Sequence, residues 1–84
     1  MAVVYSKKAK EDYEYWAEHN PKIVSRIEKL LKDIESQPFK GLGKPEPLKF
    51  KYSGYWSRRI DHQHRLVYKI FDGDVYVVQC RYHY

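Results

Sequence analysis

The chain is 84 residues long, 43% hydrophobic and 17% aromatic, and carries a formal net charge of +5. Those totals describe one domain with a small core, too apolar to remain disordered, and no apolar run approaches the roughly 20 residues that cross a bilayer. The opening MAVVYSKKAK sets its charges after a very short apolar stretch, which is not a signal peptide, and the lone Cys80 excludes an internal disulfide. A reducing cytoplasm and a buried, inert thiol are the expectation.

Residues 2–5, AVVY, predict a short strand. Ser6 is placed to cap a helix in which Ala9, Tyr13, Trp16 and Ala17 form one apolar stripe. Asn20-Pro21 ends that helix and starts a second, with Asn20 as cap and Pro21 at the first helical position. Ile23, Ile27, Leu30, Leu31 and Ile34 make its buried face, and Arg26, Lys29, Lys32 and Asp33 its wet one. With almost no loop between them, the two helices are expected to form an antiparallel hairpin. Residues 37–47, QPFKGLGKPEP, read as a loop, with three prolines and two glycines. Beyond it LKFKY (48–52), YWSRRID (55–61), HRLVYKIF (64–71) and VYVVQCRYHY (75–84) predict strands of an antiparallel meander. The order β-α-α-β-β-β predicts an α+β fold over residues 1–84: one curved antiparallel sheet with both helices on one face.

Alternation along the strands sorts the side chains. Trp56, Arg58, Ile60, Leu66, Tyr68, Ile70, Tyr76, Val78, Cys80 and Tyr82 fall at even positions and, Arg58 apart, make a core face. Arg59, Arg65, Lys69, Arg81 and His83 fall at odd positions. Connections of odd length keep the two sets apart, so three-residue turns are expected at 61–63 and 72–74. A two-residue turn would mix the faces and bury arginines.

The net charge is localised. Residues 40–65 hold seven bases (Lys40, Lys44, Lys49, Lys51, Arg58, Arg59, Arg65) against Glu46 and Asp61, while the segments on either side each balance to zero. A concentrated excess suits a polyanion partner, although a merely solvated basic face would read the same way. Within it Glu46 stands between Pro45 and Pro47, which stiffen the backbone and would aim the carboxylate; a salt bridge to Lys44 or Lys49 is the plainer alternative. Together the groups suit RNA transesterification. Glu46 could take the proton of a 2′-hydroxyl and His83 could protonate the leaving 5′-oxygen. Arg65, with Arg59 or Arg81, could stabilise the charge on phosphorus, while Tyr82 and Tyr84 could stack on bases. His62 and His64 could touch one metal, but no third ligand accompanies them, and neither a metal nor a cofactor is expected. Gly41-Leu42-Gly43-Lys44 lacks the second half of a phosphate loop.

Four motifs in order, KPEPLK (44–49), YWSRRI (55–60), HRLVY (64–68) and CRYHY (80–84), resemble the YoeB/Txe family of bacterial toxins within the wider RelE/ParE superfamily. The resemblance spans essentially the whole chain. It implies a RelE-like fold and a ribosome-dependent mRNA interferase that cleaves message in the ribosomal A site. Glu46 resembles the family's general base, His83 its general acid, Arg65 its transition-state stabiliser, Arg59 an assisting cation and Tyr84 a terminal residue needed for activity. Lys44, Lys49, Arg81 and Tyr82 are the accompanying candidates for binding RNA. The implied partners are a YefM/Axe-like antitoxin, the 70S ribosome with its mRNA, operator DNA through the toxin–antitoxin complex, and a second copy of the chain. Two rival readings remain on the same scaffold: a ParE-like inhibitor of DNA gyrase, and a non-catalytic nucleic-acid binder. Neither has an evident need for Glu46, Arg65 and His83 together.

Overall fold

A computed structural model describes residues 1–83. The elements are β1 (Val3–Tyr5), α1 (Lys7–His19), α2 (Pro21–Ser36), β2 (Glu46–Pro47), a 3₁₀ turn (Phe50–Tyr52), β3 (Trp56–Arg59), β4 (Arg65–Phe71) and β5 (Asp74–Gln79). They build one five-stranded sheet in the order β1-β5-β4-β3-β2 with the helix pair against it. The meander is antiparallel as expected, but β1 runs parallel to β5, so the sheet is mixed at that edge. A strand that pairs with the last strand after two intervening helices need not reverse direction. No helix among the described residues is long and apolar enough to cross a membrane.

Local chemistry explains the helix ends. The Ser6 hydroxyl accepts a hydrogen bond from the Ala9 amide, capping α1. Asn20 alone joins the helices: its amide closes α1 on Trp16 O and its carbonyl opens α2, while its side chain makes no cap bond. Ile23, Ile27, Leu30, Leu31 and Ile34 are buried as the spacing predicts. On α1 the stripe differs. Ala9 and Trp16 are buried, Tyr13 is half-buried, Ala17 is exposed, and Asp12 takes the remaining inner position. There Asp12 pairs with Lys8 and accepts the Cys80 amide at 3.1 Å, so it closes a backbone donor beyond the end of β5.

Three strand expectations are corrected. Residues 48–52 are not a strand. The pairing segment is Glu46–Pro47, opposite Ser57 and Trp56, and the chain then curls through the 3₁₀ turn with Phe50 at φ +58°. Second, the turn between β4 and β5 is Asp72-Gly73, two residues and not three, because Phe71 pairs directly with Asp74. Both carry positive φ (+52° and +80°), the turn form that matches the twist of a hairpin and that Asp-Gly favours. The odd residue is supplied instead by a bulge: Tyr68 faces Val77 while Val67 faces Gln79, which leaves Val78 extra. Val75 and Val77 therefore take the core places expected of Tyr76 and Val78, and the bulge returns Cys80 to the core. Third, Tyr82 is not core; it is 48% exposed. Between β3 and β4 the pairing of Arg59 with Arg65 leaves five residues where three are expected at 61–63; the number is still odd, so Trp56 and Arg58 stay with Tyr68 and Leu66.

Arg58, the exception on the even face, is completely buried. Its Nε donates to the Tyr68 hydroxyl, Nη1 to Asp33 and the Leu42 carbonyl, and Nη2 to the Gln37 and Lys40 carbonyls. Asp33 also accepts from Gln37 Nε2 and the Leu42 amide, so it belongs to this interior network and not to the wet face. Those two bonds and then the Arg58 guanidinium hold its carboxyl below its ordinary value of 3.8.

The Asp33→Asn variant is expected to lose about 1.5–3 kcal/mol at pH 7, the worth of charge-assisted hydrogen bonds. A depressed folded-state pKa gives stability that is full above the unfolded value and lost as pH falls through the folded one. The gap between Asp33→Asn and the parent chain should therefore narrow on acidification below pH ~4, as read from urea midpoints across a pH series. A gap that stays constant with pH would mean the carboxylate charge contributes nothing.

Candidate functional site

Cross-strand partners project to the same face of a sheet. Glu46 faces Ser57, Ser57 faces Val67 and Val67 faces Gln79, one row across four strands. Arg59 faces Arg65 in the adjacent same-face row, and the Arg65 amide donates to Tyr82 O at 3.0 Å. Glu46, Arg59 and Arg65 thus share the sheet face turned away from the helices. Strand spacing sets the Cα atoms of Glu46 and Arg65 on the order of 10 Å apart, room for a phosphodiester between the two side chains. That face is only partly open: Leu48, Ser57 and Val67 are buried there, outside the helix-side core.

Glu46 lies at the sheet edge, exposed, on a two-residue strand and not in a loop. Short bonds hold both flanks: the Arg59 amide donates to Gly43 O at 2.7 Å, and the Leu48 amide to Tyr55 O at 2.9 Å. Gly43 sits at φ +80° with space for no more than its hydrogens, since a Cβ would meet Arg59 N and O at 3.1 Å and Leu30 Cδ2 at 3.0 Å. Among the described residues the ion pairs are Lys8–Asp12 and Arg58–Asp33, so no salt bridge to Lys44 or Lys49 occupies the Glu46 carboxylate. Lys44 and Lys49 are exposed nearby in sequence, and a cleft of about 570 Å³ beside Glu46 is lined by Lys49, Phe50, Lys51 and Tyr52. Phe50 stands 92% exposed there. Reading 48–52 as a strand hid that aromatic, and only the turn geometry brings it out.

Arg65 is half-buried and aimed by its own loop. Its Nη1 donates to the carbonyls of Asp61, His62 and His64 at 3.0–3.3 Å. The Asp61 carboxylate accepts the Gln63 and His64 amides and so shapes that loop from within. Arg59 is exposed, and Arg26 of α2 braces its carbonyl and that of Ile60.

The chain end departs from the alternation. Ladder pairing stops at Gln79, whose amide side chain donates to the carbonyls of Arg81 and Tyr82, and Tyr82 takes φ +67°. Arg81 consequently leaves the sheet face expected of it and stacks on Tyr15 of α1, 3.4 Å from the ring centroid, with Tyr82 at 4.5 Å. His83 is exposed, and Tyr84 lies outside the described residues. His64, weighed above as half of a metal site, is half-buried with its ring edge on Trp16, and its Nδ1 accepts the Tyr82 amide at 2.7 Å. Cys80 is buried and its thiol is pushed up to about 12, by burial first and by Asp12 second, so it is no nucleophile.

Residues 5–84 match the family described as the YoeB-like toxin of bacterial type II toxin–antitoxin systems. The Toxin YoeB of Streptomyces coelicolor is 55% identical over 84 residues, the full length of both chains. Among solved structures, the YoeB/ParE toxin from Agrobacterium tumefaciens superposes with a TM-score of 0.96 at 44% identity over all of both chains. The Staphylococcus aureus YoeB, solved in a YoeB–YefM complex, superposes at 0.93 with 45% identity, covering 100% of this chain and 98% of that one. It has also been solved as a YoeB dimer, with a TM-score of 0.94 at 44% identity and the same coverage.

Gly43→Ala is expected to destabilise the fold by about 1–3 kcal/mol, through the positive φ and the contact with the Arg59 backbone. Urea unfolding measures it; a midpoint equal to that of the parent chain would show that this approach is not tight.

Proposed function

The chain belongs to the YoeB-like toxins of bacterial type II toxin–antitoxin systems, and from that premise we propose a ribosome-dependent mRNA interferase, an endoribonuclease that cuts message in the ribosomal A site. The observation that carries this reading is the strand register, which puts one edge carboxylate, Glu46, on the same sheet face as Arg59 and Arg65. Glu46 takes the proton from the 2′-hydroxyl of the nucleotide before the scissile phosphate. The 2′-oxygen attacks phosphorus, Arg65 and Arg59 stabilise the charge that builds on the non-bridging oxygens, and His83 gives its proton to the departing 5′-oxygen. The products are a 2′,3′-cyclic phosphate and a 5′-hydroxyl. Tyr84 assists at the chain end, and Lys44, Lys49 and Tyr82 hold the RNA strand, with Arg81 behind them stacked on α1.

All 84 residues act as one domain in the cytoplasm. In that setting the toxin is neutralised by a YefM-like antitoxin, as the YoeB–YefM complex of the S. aureus relative suggests by analogy. The antitoxin's C-terminal segment, disordered alone, folds along the basic face and masks it. The complex binds its own operator through the antitoxin, and free toxin pairs as a homodimer, the state solved for the S. aureus relative.

Primer extension on a defined mRNA, with and without translating ribosomes, tests the reading. A new 5′ end at the A-site codon, read as a reverse-transcription stop, is expected only with ribosomes present. Glu46→Gln and His83→Gln should each slow cleavage by about 10²–10⁴-fold with unchanged circular dichroism. Intact message under both conditions, from folded and antitoxin-free protein, would move the function to gyrase inhibition or plain nucleic-acid binding.

A further inference from the structure

The geometry points to His64 as a positioning residue that sets the proposed acid, His83, against Arg65. This rests on the cleavage reading above. Past Gln79 the chain has left the strand ladder, so its backbone groups need other partners. The Cys80 amide goes to Asp12 and its carbonyl to Trp16 Nε1 at 2.8 Å. The Arg81 carbonyl goes to Gln79. Residue 82, the last before His83, is held at both ends by two consecutive residues: its amide donates to His64 Nδ1 at 2.7 Å, and its carbonyl accepts from the Arg65 amide at 3.0 Å. With φ at +67° Tyr82 turns the chain there, so any slack in that clamp displaces His83 directly.

His64 suits this work because it is itself fixed. Its amide donates to Asp61 at 2.7 Å, its carbonyl accepts the Ile60 amide and Arg65 Nη1, and its ring meets Trp16 edge-on at 4.7 Å. Accepting at Nδ1 requires the neutral ring with its proton on Nε2. One imidazole thus ties the β3–β4 loop, which aims Arg65, to the segment that carries His83. Acid and cation then move as a unit, and a proton donor misplaced by about 1 Å can cost on the order of 10²-fold in rate.

Three variants test the assignment. His64→Phe keeps a ring against Trp16 and removes the acceptor. His64→Asn returns an oxygen near the Nδ1 position. His64→Phe combined with His83→Gln asks whether the first acts through the second. Single-turnover cleavage on programmed ribosomes should fall about 10²-fold in His64→Phe, with ribosome binding within about twofold of the parent, and should recover most of that loss in His64→Asn. In the His83→Gln background His64→Phe should cost nothing further, because the group it positions is already gone. Equal losses in both backgrounds, full activity in His64→Phe, or no recovery in His64→Asn would each overturn the assignment. A second readout needs no cleavage at all: a trans-hydrogen-bond coupling between the Tyr82 amide nitrogen and His64 Nδ1 in ¹⁵N-labelled protein is expected, and its absence in the folded chain rejects the clamp. If the parent chain cleaves nothing yet shows the coupling, the interferase reading fails and the clamp stands as structure only.

Discussion

The fold turns on one buried guanidinium. Arg58 sits in the middle of β3 with no exposure, between the sheet and the segment that connects α2 to β2. An unpaired charge there would cost several kcal/mol, so its partners are not optional. They are Asp33, the Tyr68 hydroxyl and the carbonyls of Gln37, Lys40 and Leu42. Tyr68 in turn donates to Pro38 O at 2.7 Å. A stretch with three prolines and two glycines would otherwise wander; gathered on Arg58, it delivers Gly43 against Arg59 and Glu46 opposite Ser57. The position of the proposed base is therefore fixed from the interior outward. A Met or Leu at position 58 could fill the volume, but it would leave three loop carbonyls without their donor.

This explains why Arg58 looked anomalous in the sequence. Alternation correctly placed it inward, against the common rule that arginine is exposed, and the rule's own exception applied: a buried charge needs a paired and hydrogen-bonded site. Asp33, on α2 four residues before Gln37, falls on the wet face by spacing because helical periodicity sees one helix at a time. No periodicity predicts a partner arriving from a strand 25 residues later. The localised basic excess is likewise smaller on the surface than in the sequence, since Arg58 is neutralised inside.

The helix pair, the antiparallel meander and the shared face of Arg59 and Arg65 are legible because apolar spacing and strand alternation are strong local signals, whereas the strand that carries Glu46 is only two residues long and sits in a stretch whose prolines and glycines read as loop. Details that depend on competition between signals are not legible. Three residues at 72–74 satisfied the parity argument, yet Asp-Gly prefers the two-residue turn, and the parity was repaired five residues later by a bulge at Val78. The two one-residue departures, turn and bulge, cancel, so Cys80 is in the core as its parity predicts although the ladder between is not the expected one. Arg81 fell beyond the cancellation, past the last ladder pair, where side-chain bonds from Gln79 and the Tyr15 ring decide its direction. His64 stands two residues from another histidine, a spacing that suggests a metal, and nothing local reveals that a backbone amide 18 residues away takes its nitrogen.

On the proposed reading, the supports of the working groups also bear on why such an enzyme would act on ribosome-bound message. Glu46 is on the outermost strand, Arg65 on a central one, and His83 on a segment past the end of the last. Each is anchored by its own device: the Arg58-gathered loop, the carbonyls of the β3–β4 loop, and the His64–Tyr82 clamp. The anchors fix protein atoms relative to one another, and they do nothing for the RNA. Glu46, Arg59 and His83 are all exposed, and exposed groups leave a bound single strand free to sample many backbone geometries, few of them with the 2′-oxygen in line with the leaving 5′-oxygen. Orientation of that kind is worth several kcal/mol of a barrier. A protein that holds its acid, base and cation rigidly on an open surface has prepared one half of the reacting geometry, and the substrate's half must come from whatever holds the message.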